Sequence, residues 1–178
     1  MNEVNGREAK IGFVGAQGSG KTTRAYELAT ALKKAGKDVY ILSEVARSCP
    51  FELNEKATEE TQLWIFGKQL TREQSSKGQI LISDRTLMDS FCYGIRACPR
   101  LFKELEGFVR EYLTTYDYIF YLKPNNDYLI DDGVRSTNAE FRDEIDNIIT
   151  GYLEKFSVPY VEEEDVERMA RWVLGGLQ

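Results

Sequence analysis

Lys10-Ile11-Gly12-Phe13-Val14-Gly15-Ala16-Gln17-Gly18-Ser19-Gly20-Lys21-Thr22-Thr23 decides the fold. Its first five residues form a short apolar run that ends in a glycine-rich turn, the pattern of a buried strand. Gly15 to Thr22 matches G-x-x-x-x-G-K-[ST] at every fixed position. Glycines there let the backbone turn tightly, so that successive N–H groups point inward at phosphate oxygens. A helix starting at the loop adds its positive N-terminal end. Over Lys21–Ala35, Ala25, Leu28, Ala29 and Leu32 recur at helical spacing, with Gly36 as the stop. Gly15, Gln17, Gly18, Ser19, Gly20, Lys21, Thr22 and Thr23 are therefore expected around a nucleotide's phosphates. Lys21 reaches the β- and γ-phosphates as a point charge, and the Thr22 hydroxyl is a ligand for Mg²⁺.

Outward from this stretch, strands and helices alternate. Asp38–Leu42, Gln79–Ser83, Tyr118–Leu122 and Val158–Val161 are the further strand candidates. Thr58–Lys77, Leu87–Ala97, Leu101–Thr114, Ala139–Phe156 and Glu163–Leu174 read as helices, with Pro99 separating the second from the third. The alternation predicts an α/β fold, a parallel sheet with crossover helices on both faces. Ligands in such sheets bind beyond the carboxyl ends of the strands. No repeat, low-complexity tract or linker divides the 178 residues, a length that suits one domain. The expected organisation is a flexible tail over 1–9 and a single domain over 10–178, with a polar flap about 125–142.

Composition narrows the chemistry. The chain has no histidine, which excludes Ser-His-Asp and Cys-His nucleophile pairs and histidine-containing zinc sites. Any general base is a carboxylate, a lysine, a tyrosine or the substrate itself. Cys49, Cys92 and Cys98 lack C-x-x-C spacing and read as free thiols in a reducing compartment. A net charge of −6 disfavours a non-specific nucleic-acid coat. No apolar signal core opens the chain, and no run approaches the roughly 20 apolar residues of a membrane span. A cytoplasmic protein with no membrane partner is expected, and the sequence leaves a homodimer open.

Candidate site residues cluster after the strands. Ile80-Leu81-Ile82-Ser83-Asp84 is an apolar strand ending in an acid, which places Asp84 on Mg²⁺ beside Lys21 and Thr22. Arg85 follows, where a water-activating ATPase generally has a glutamate; a basic residue there suits an anionic or polar acceptor. Asp84 also suits a helix N-cap. Glu44, after the second strand, is positioned to accept an acceptor hydroxyl's proton, or else to pair with Arg47 as a solvated ion pair. Arg85, Asp89 and Tyr93 at helical spacing suggest one wall of an acceptor pocket, or a helix-start salt bridge and a core tyrosine. Gln62, Phe66 and Gln69 share a helical face, and amides beside an aromatic ring suit a flat polar heterocycle; core packing is the other role for Phe66. Arg135 and Arg142, in and after the polar segment, suit a flap that closes over a nucleotide and excludes water.

Taken together, the phosphate loop, Glu44-x-x-Arg47, the Gln62/Gln69 helix, Asp84-Arg85-Thr86 and Asp132-Gly133-x-Arg135 resemble the NadR-like P-loop kinases, the AAA-domain family that includes ribosylnicotinamide kinase. The pattern is also similar, more distantly, to the thymidylate and deoxynucleoside kinases. The resemblance implies a P-loop NTPase fold with a five-stranded parallel sheet in the order 2-3-1-4-5 and a flap over the site. It implies ATP with Mg²⁺ as donor and a nucleoside-like molecule as acceptor. Lys21 and Thr22 carry over as phosphate and metal residues, Glu44 as base, and Arg135 as the flap arginine.

The function expected is ATP- and Mg²⁺-dependent phosphoryl transfer to a nucleoside, nucleotide or related hydroxyl compound. Lys21, Glu44, Asp84 and Arg135 would be catalytic; Arg142 would join the loop in nucleotide binding. Glu44, Arg47, Gln62, Phe66, Arg85, Asp89 and Tyr93 would bind the acceptor. Two rivals stand beside it: a polynucleotide or modified-base kinase, and a nucleotide-dependent regulatory ATPase.

Overall fold

The computed structural model describes residues 8–125 and 136–176. Among these, strands β1 (Ala9–Val14), β2 (Val39–Leu42), β3 (Ile80–Ser83), β4 (Tyr118–Tyr121) and β5 (Val161–Glu162) form one sheet in the order β2-β3-β1-β4-β5. Every pairing is parallel, so the order implied by the family resemblance holds. The helices are α1 (Lys21–Lys34), α2 (Glu59–Ser75), α3 (Leu87–Ala97), α4 (Pro99–Lys103), α5 (Glu106–Leu113), α6 (Ala139–Lys155) and α7 (Val166–Gly176).

Central strand β1 is buried along its whole length, as expected of a parallel sheet covered on both faces. Its side chains alternate between two cores. Ile11 and Phe13, with Phe120 of β4, pack against Leu28 and Leu32 of α1 and Met169 and Val173 of α7. Val14, with Tyr121, faces Phe91 of α3, Leu113 of α5 and Ile149 of α6. Lys10 lies on that second side and is itself buried.

Three boundaries differ from the sequence reading. Ala9, assigned to the tail, is the first residue of β1, and the Glu8 N–H donates to the Gln79 carbonyl at 2.7 Å. Leu101–Thr114 is two helices rather than one. Phe102 drops onto Gly94, where an added Cβ would lie 2.3 Å from its ring, and the chain bends after it through short bonds from Glu104 to Leu101 and from Leu105 to Phe102. The fifth strand begins at Val161, not Val158. The end of α6 uses the intervening residues: Ser157 has φ 53°, Val158 N–H donates to the Leu153 carbonyl, and Pro159 has no N–H to offer a sheet.

Helix starts follow local chemistry. Thr58 and Thr86 cap α2 and α3 by reciprocal bonds with Thr61 and Asp89. Asn138 caps α6 through the Phe141 N–H, so Ala139–Arg142, counted from sequence with the flap, form the first turn of that helix. Among the described residues no helix is long and apolar enough to cross a membrane.

Gly12 is the closest fit in β1, because an added Cβ would lie 2.4 Å from Thr86 Cγ2 and 2.8 Å from the Tyr116 ring. Gly12→Ala is expected to lower unfolding free energy by about 1–3 kcal/mol, the usual cost of overpacking, as measured by urea denaturation.

Candidate active site

The loop between β1 and α1 closes on itself. Gly15 admits no side chain, since a Cβ would lie 2.4 Å from the Leu122 carbonyl oxygen. Gly20, at φ 78°, begins α1 in the left-handed conformation. Inside the loop the Lys21 ammonium donates to the carbonyls of Gly15 and Ala16, both at 2.6 Å, and to Ser19 Oγ at 2.8 Å. Burial, reinforced by the nearby Arg85 charge, lowers its pKa to about 7, against the opposing pull of Asp89, Asp84 and Glu44.

The loop is braced from α3. Asp89 Oδ1 accepts the Gly15 N–H at 3.2 Å, while its Oδ2 accepts from Thr86 N–H and Oγ1, both at 2.8 Å. Burial raises the Asp89 pKa against these bonds and the charges of Arg85 and Lys21. Tyr93 donates to Gln17 Oε1 at 2.6 Å. Asp146 on α6 accepts from Tyr121 at 2.8 Å, and its Oδ1 has no hydrogen-bond partner among the described residues. Sequence reading missed Asp146; an acid bordering the buried helical face of Phe141, Ile145 and Ile149 was its signal.

Across β1 and β3, Thr22 Oγ1 donates to Asp84 Oδ2 at 2.8 Å. The Asp84 pKa is raised by burial and restrained by Thr22 and Lys21. These are hard oxygen donors beside a phosphate-type loop, a chemistry that fits Mg²⁺, which takes one or two protein oxygens and completes its shell with phosphate and water.

Next to this pair a cleft runs out between α2, α3 and the segment after β2. Glu44 and Arg85 line it: Arg85 Nε donates to Glu44 Oε1 at 2.6 Å, and Arg85 Nη1 lies 3.7 Å from Asp89 Oδ1. The Arg85 guanidinium lies over the Tyr93 ring at 5.4 Å. Ala46, Leu53 and Ile65 supply apolar wall. Gln17 and Gln62 line the same cleft, each 3 % exposed, and Gln17 Nε2 and Gln62 Oε1 have no hydrogen-bond partner among the described residues. Buried amide atoms left in that condition are uncommon.

Not every expected site residue lines the cleft. Phe66 belongs to the core, with its ring edge-on to Phe102 at 5.6 Å, because α2 carries it inward, one turn below Gln62. Gln69 is turned away from the cleft, onto Glu73, Ser83 and the Arg85 carbonyl. Arg47 is exposed and grips the outer side of Glu44, Nε to Oε2 at 3.2 Å. Thr23 is exposed on the first turn of α1. Arg142 is buried on α6, with its guanidinium on Asp143 at 2.8 Å. Arg135 and most of the expected flap lie outside the described residues. Ser90, Leu53 and Asn54 line the cleft without a sequence signal that singles them out, although Asn54 adopts φ 59°, a conformation asparagine tolerates better than most residues. Beside Asn54, Glu55 Oε1 accepts from Ser136 Oγ at 2.5 Å.

Sheet order, glycine loop and the Thr22–Asp84 pair define a P-loop NTPase fold. Residues 10–169 match the model of an AAA domain family, and the chain belongs to it. Deoxyadenosine kinase from M. mycoides with bound dCTP superposes with a TM-score of 0.64 and 18 % identity, over 94 % of this chain and 98 % of that one. Its complex with the products dCMP and dCDP gives 0.63 and 17 %, over 94 % and 97 %. NadR in complex with NR gives 0.69 and 21 %, over 88 % of this chain and 46 % of NadR; this chain thus spans about half of that protein. Both groups named by the sequence resemblance are present, and at these identities the likeness is one of fold. No curated protein sequence matches the chain.

Lys21 gives a pH test of this geometry. Between about pH 7 and the ordinary lysine value of 10.5 the unfolded chain binds a proton that the folded one refuses, so the Lys21 contribution to stability rises with pH across that window. Lys21→Met is expected to flatten that rise in thermal melts run over the same window. A slope identical to wild type would contradict the burial described.

Proposed function

We propose that this protein transfers the γ-phosphoryl group of ATP, with Mg²⁺, to a hydroxyl of a nucleoside, nucleotide or related small molecule. The observation that carries the reading is the cleft: amide atoms of Gln17 and Gln62 without a partner among the described residues line it, together with Glu44 and Arg85, whose charges act on Lys21. A flat heterocycle carrying a donor and an acceptor would satisfy both amides, leaving its attached hydroxyl compound to reach inward. The similar structures hold dCTP, dCMP and NR, molecules of the class proposed.

In this reading the main-chain N–H groups of Gly15–Thr22 hold the phosphates, and Lys21 moves from its own loop's carbonyls onto the phosphate oxygens. Thr22 and Asp84 would hold Mg²⁺, which when bound neutralises charge between the β- and γ-phosphates. Glu44, fixed by two guanidiniums, orients the attacking hydroxyl and takes its proton as the new P–O bond forms and the bond from the γ-phosphorus to the bridging oxygen breaks, releasing ADP. Arg85 draws negative charge toward the same spot, and Lys21 stabilises the moving phosphoryl group.

Incubation with ATP, Mg²⁺ and a panel of nucleosides and nucleoside monophosphates, read by ADP release and product mass, tests the reading. A phosphorylated small molecule is the expected outcome. Transfer only to oligonucleotides, or ATP hydrolysis indifferent to every acceptor, would overturn it. Glu44→Gln should lower turnover by roughly 10²–10⁴-fold and leave ATP affinity near wild type; equal losses in both would make Glu44 structural. Because phosphate restores the proton on Lys21, ATP binding above pH 7 should take up protons, which calorimetry in buffers of different ionisation heat detects.

A further inference from the structure

Glu73 lies near the end of α2 and is wholly buried. Its Oε2 is 2.7 Å from the Lys10 ammonium and accepts from the Tyr112 hydroxyl at 3.0 Å. Its Oε1 accepts from the Tyr116 hydroxyl at 2.6 Å and from the Gln69 amide at 2.7 Å. The Lys10 ammonium also donates to Thr115 Oγ1 and sits over the Tyr112 and Tyr116 rings, 4.2 and 3.9 Å from their centroids. One helical turn nearer the site, the same Gln69 nitrogen shares its other hydrogen between the Arg85 carbonyl at 2.8 Å and Ser83 Oγ at 3.0 Å. The Ser83 hydroxyl donates to the Arg85 carbonyl as well.

An ion pair this deeply desolvated is seldom more stabilising than apolar side chains of the same volume. What the arrangement does supply is position. The turn it grips, Ser83–Arg85, carries the Asp84 carboxylate to Thr22 and the Arg85 guanidinium to Glu44. We infer that Gln69, held by Glu73 and Lys10, is a positioning residue that clamps the main chain at Ser83–Arg85 and so aims Asp84 and Arg85 into the site. Its kinetic consequence rests on the function proposed above; the clamp itself is read independently of it.

Two variants test the clamp. Gln69→Met keeps length and volume but cannot donate, and Gln69→Asn keeps the amide but is one methylene too short to reach the Arg85 carbonyl. The first readout is the Arg85 Nε–H signal in ¹H–¹⁵N spectra, assigned by its loss in Arg85→Lys. The second is the ratio of ATP dissociation constants in EDTA and in Mg²⁺, by calorimetry. In either variant the Arg85 signal is expected to shift or vanish while unfolding stays cooperative. The Mg²⁺-dependent tightening of ATP should fall roughly tenfold, as for other residues that orient a metal ligand, with affinity in EDTA unchanged. An Arg85 signal that stays in place in a folded variant overturns the inference. Should Gln69→Met not fold, Gln69→Asn gives the same two readings. Failure of wild type to bind ATP would instead sink the proposed function and leave the Arg85 signal still able to report on the clamp.

Discussion

The ammonium of Lys21 is cut off from water inside a loop of its own backbone, and a charge in that position has to be answered from nearby. Three carboxylates do so: Glu44, Asp84 and Asp89. Glu44 follows β2, Asp84 follows β3, and Asp89 sits in the first turn of α3. They reach one place because β2, β3 and β1 run parallel side by side and end at the same edge. Asp89 adds a bond to the Gly15 N–H, so the group that answers the lysine also shapes the loop that holds it. Sheet order, helix start and phosphate loop are thus tied to one electrostatic requirement.

A second balance operates a few ångströms away. Arg85 and Arg47 both donate to Glu44, one to each carboxylate oxygen. Arg85 is largely buried and stacked over Tyr93, whereas Arg47 is exposed. The inner pair is shielded from salt and solvent, and the outer one is screened. Glu44 is therefore located chiefly by Arg85, which itself answers to Asp89 and to the turn that Gln69 grips.

Much of this was legible in the sequence where chemistry prescribes residue type. The glycines, lysine and threonine of the loop are required by backbone curvature and phosphate geometry, and strand-end acids announce themselves after apolar runs. Depth was not legible. Gln62, Phe66 and Gln69 share one helical face, yet α2 runs from the cleft into the core, so the first lines the cleft, the second packs on Phe102 and the third serves Arg85 from beneath. Lys10, a charge at the head of a strand buried on both faces, was a visible sign of the buried ion pair, but its partner is 63 residues away in the chain, and no local pattern names it. The break between α4 and α5 and the late start of β5 also come from contacts that periodicity does not contain.

Gly94 and Phe102 fit as notch and peg. The Phe102 ring reaches on to Phe66 of α2 and Phe91 of α3, with centroids 5.6 and 6.3 Å away. Side-chain size at positions 94 and 102 is therefore a single shared quantity. A methyl group gained at 94 demands a smaller residue at 102, and shrinking 102 opens a gap against two further rings. Any lineage or redesign that alters the seam between α3 and α4 must change these positions together, and the α2 helix that carries both Gln62 and Gln69 has to settle around the result.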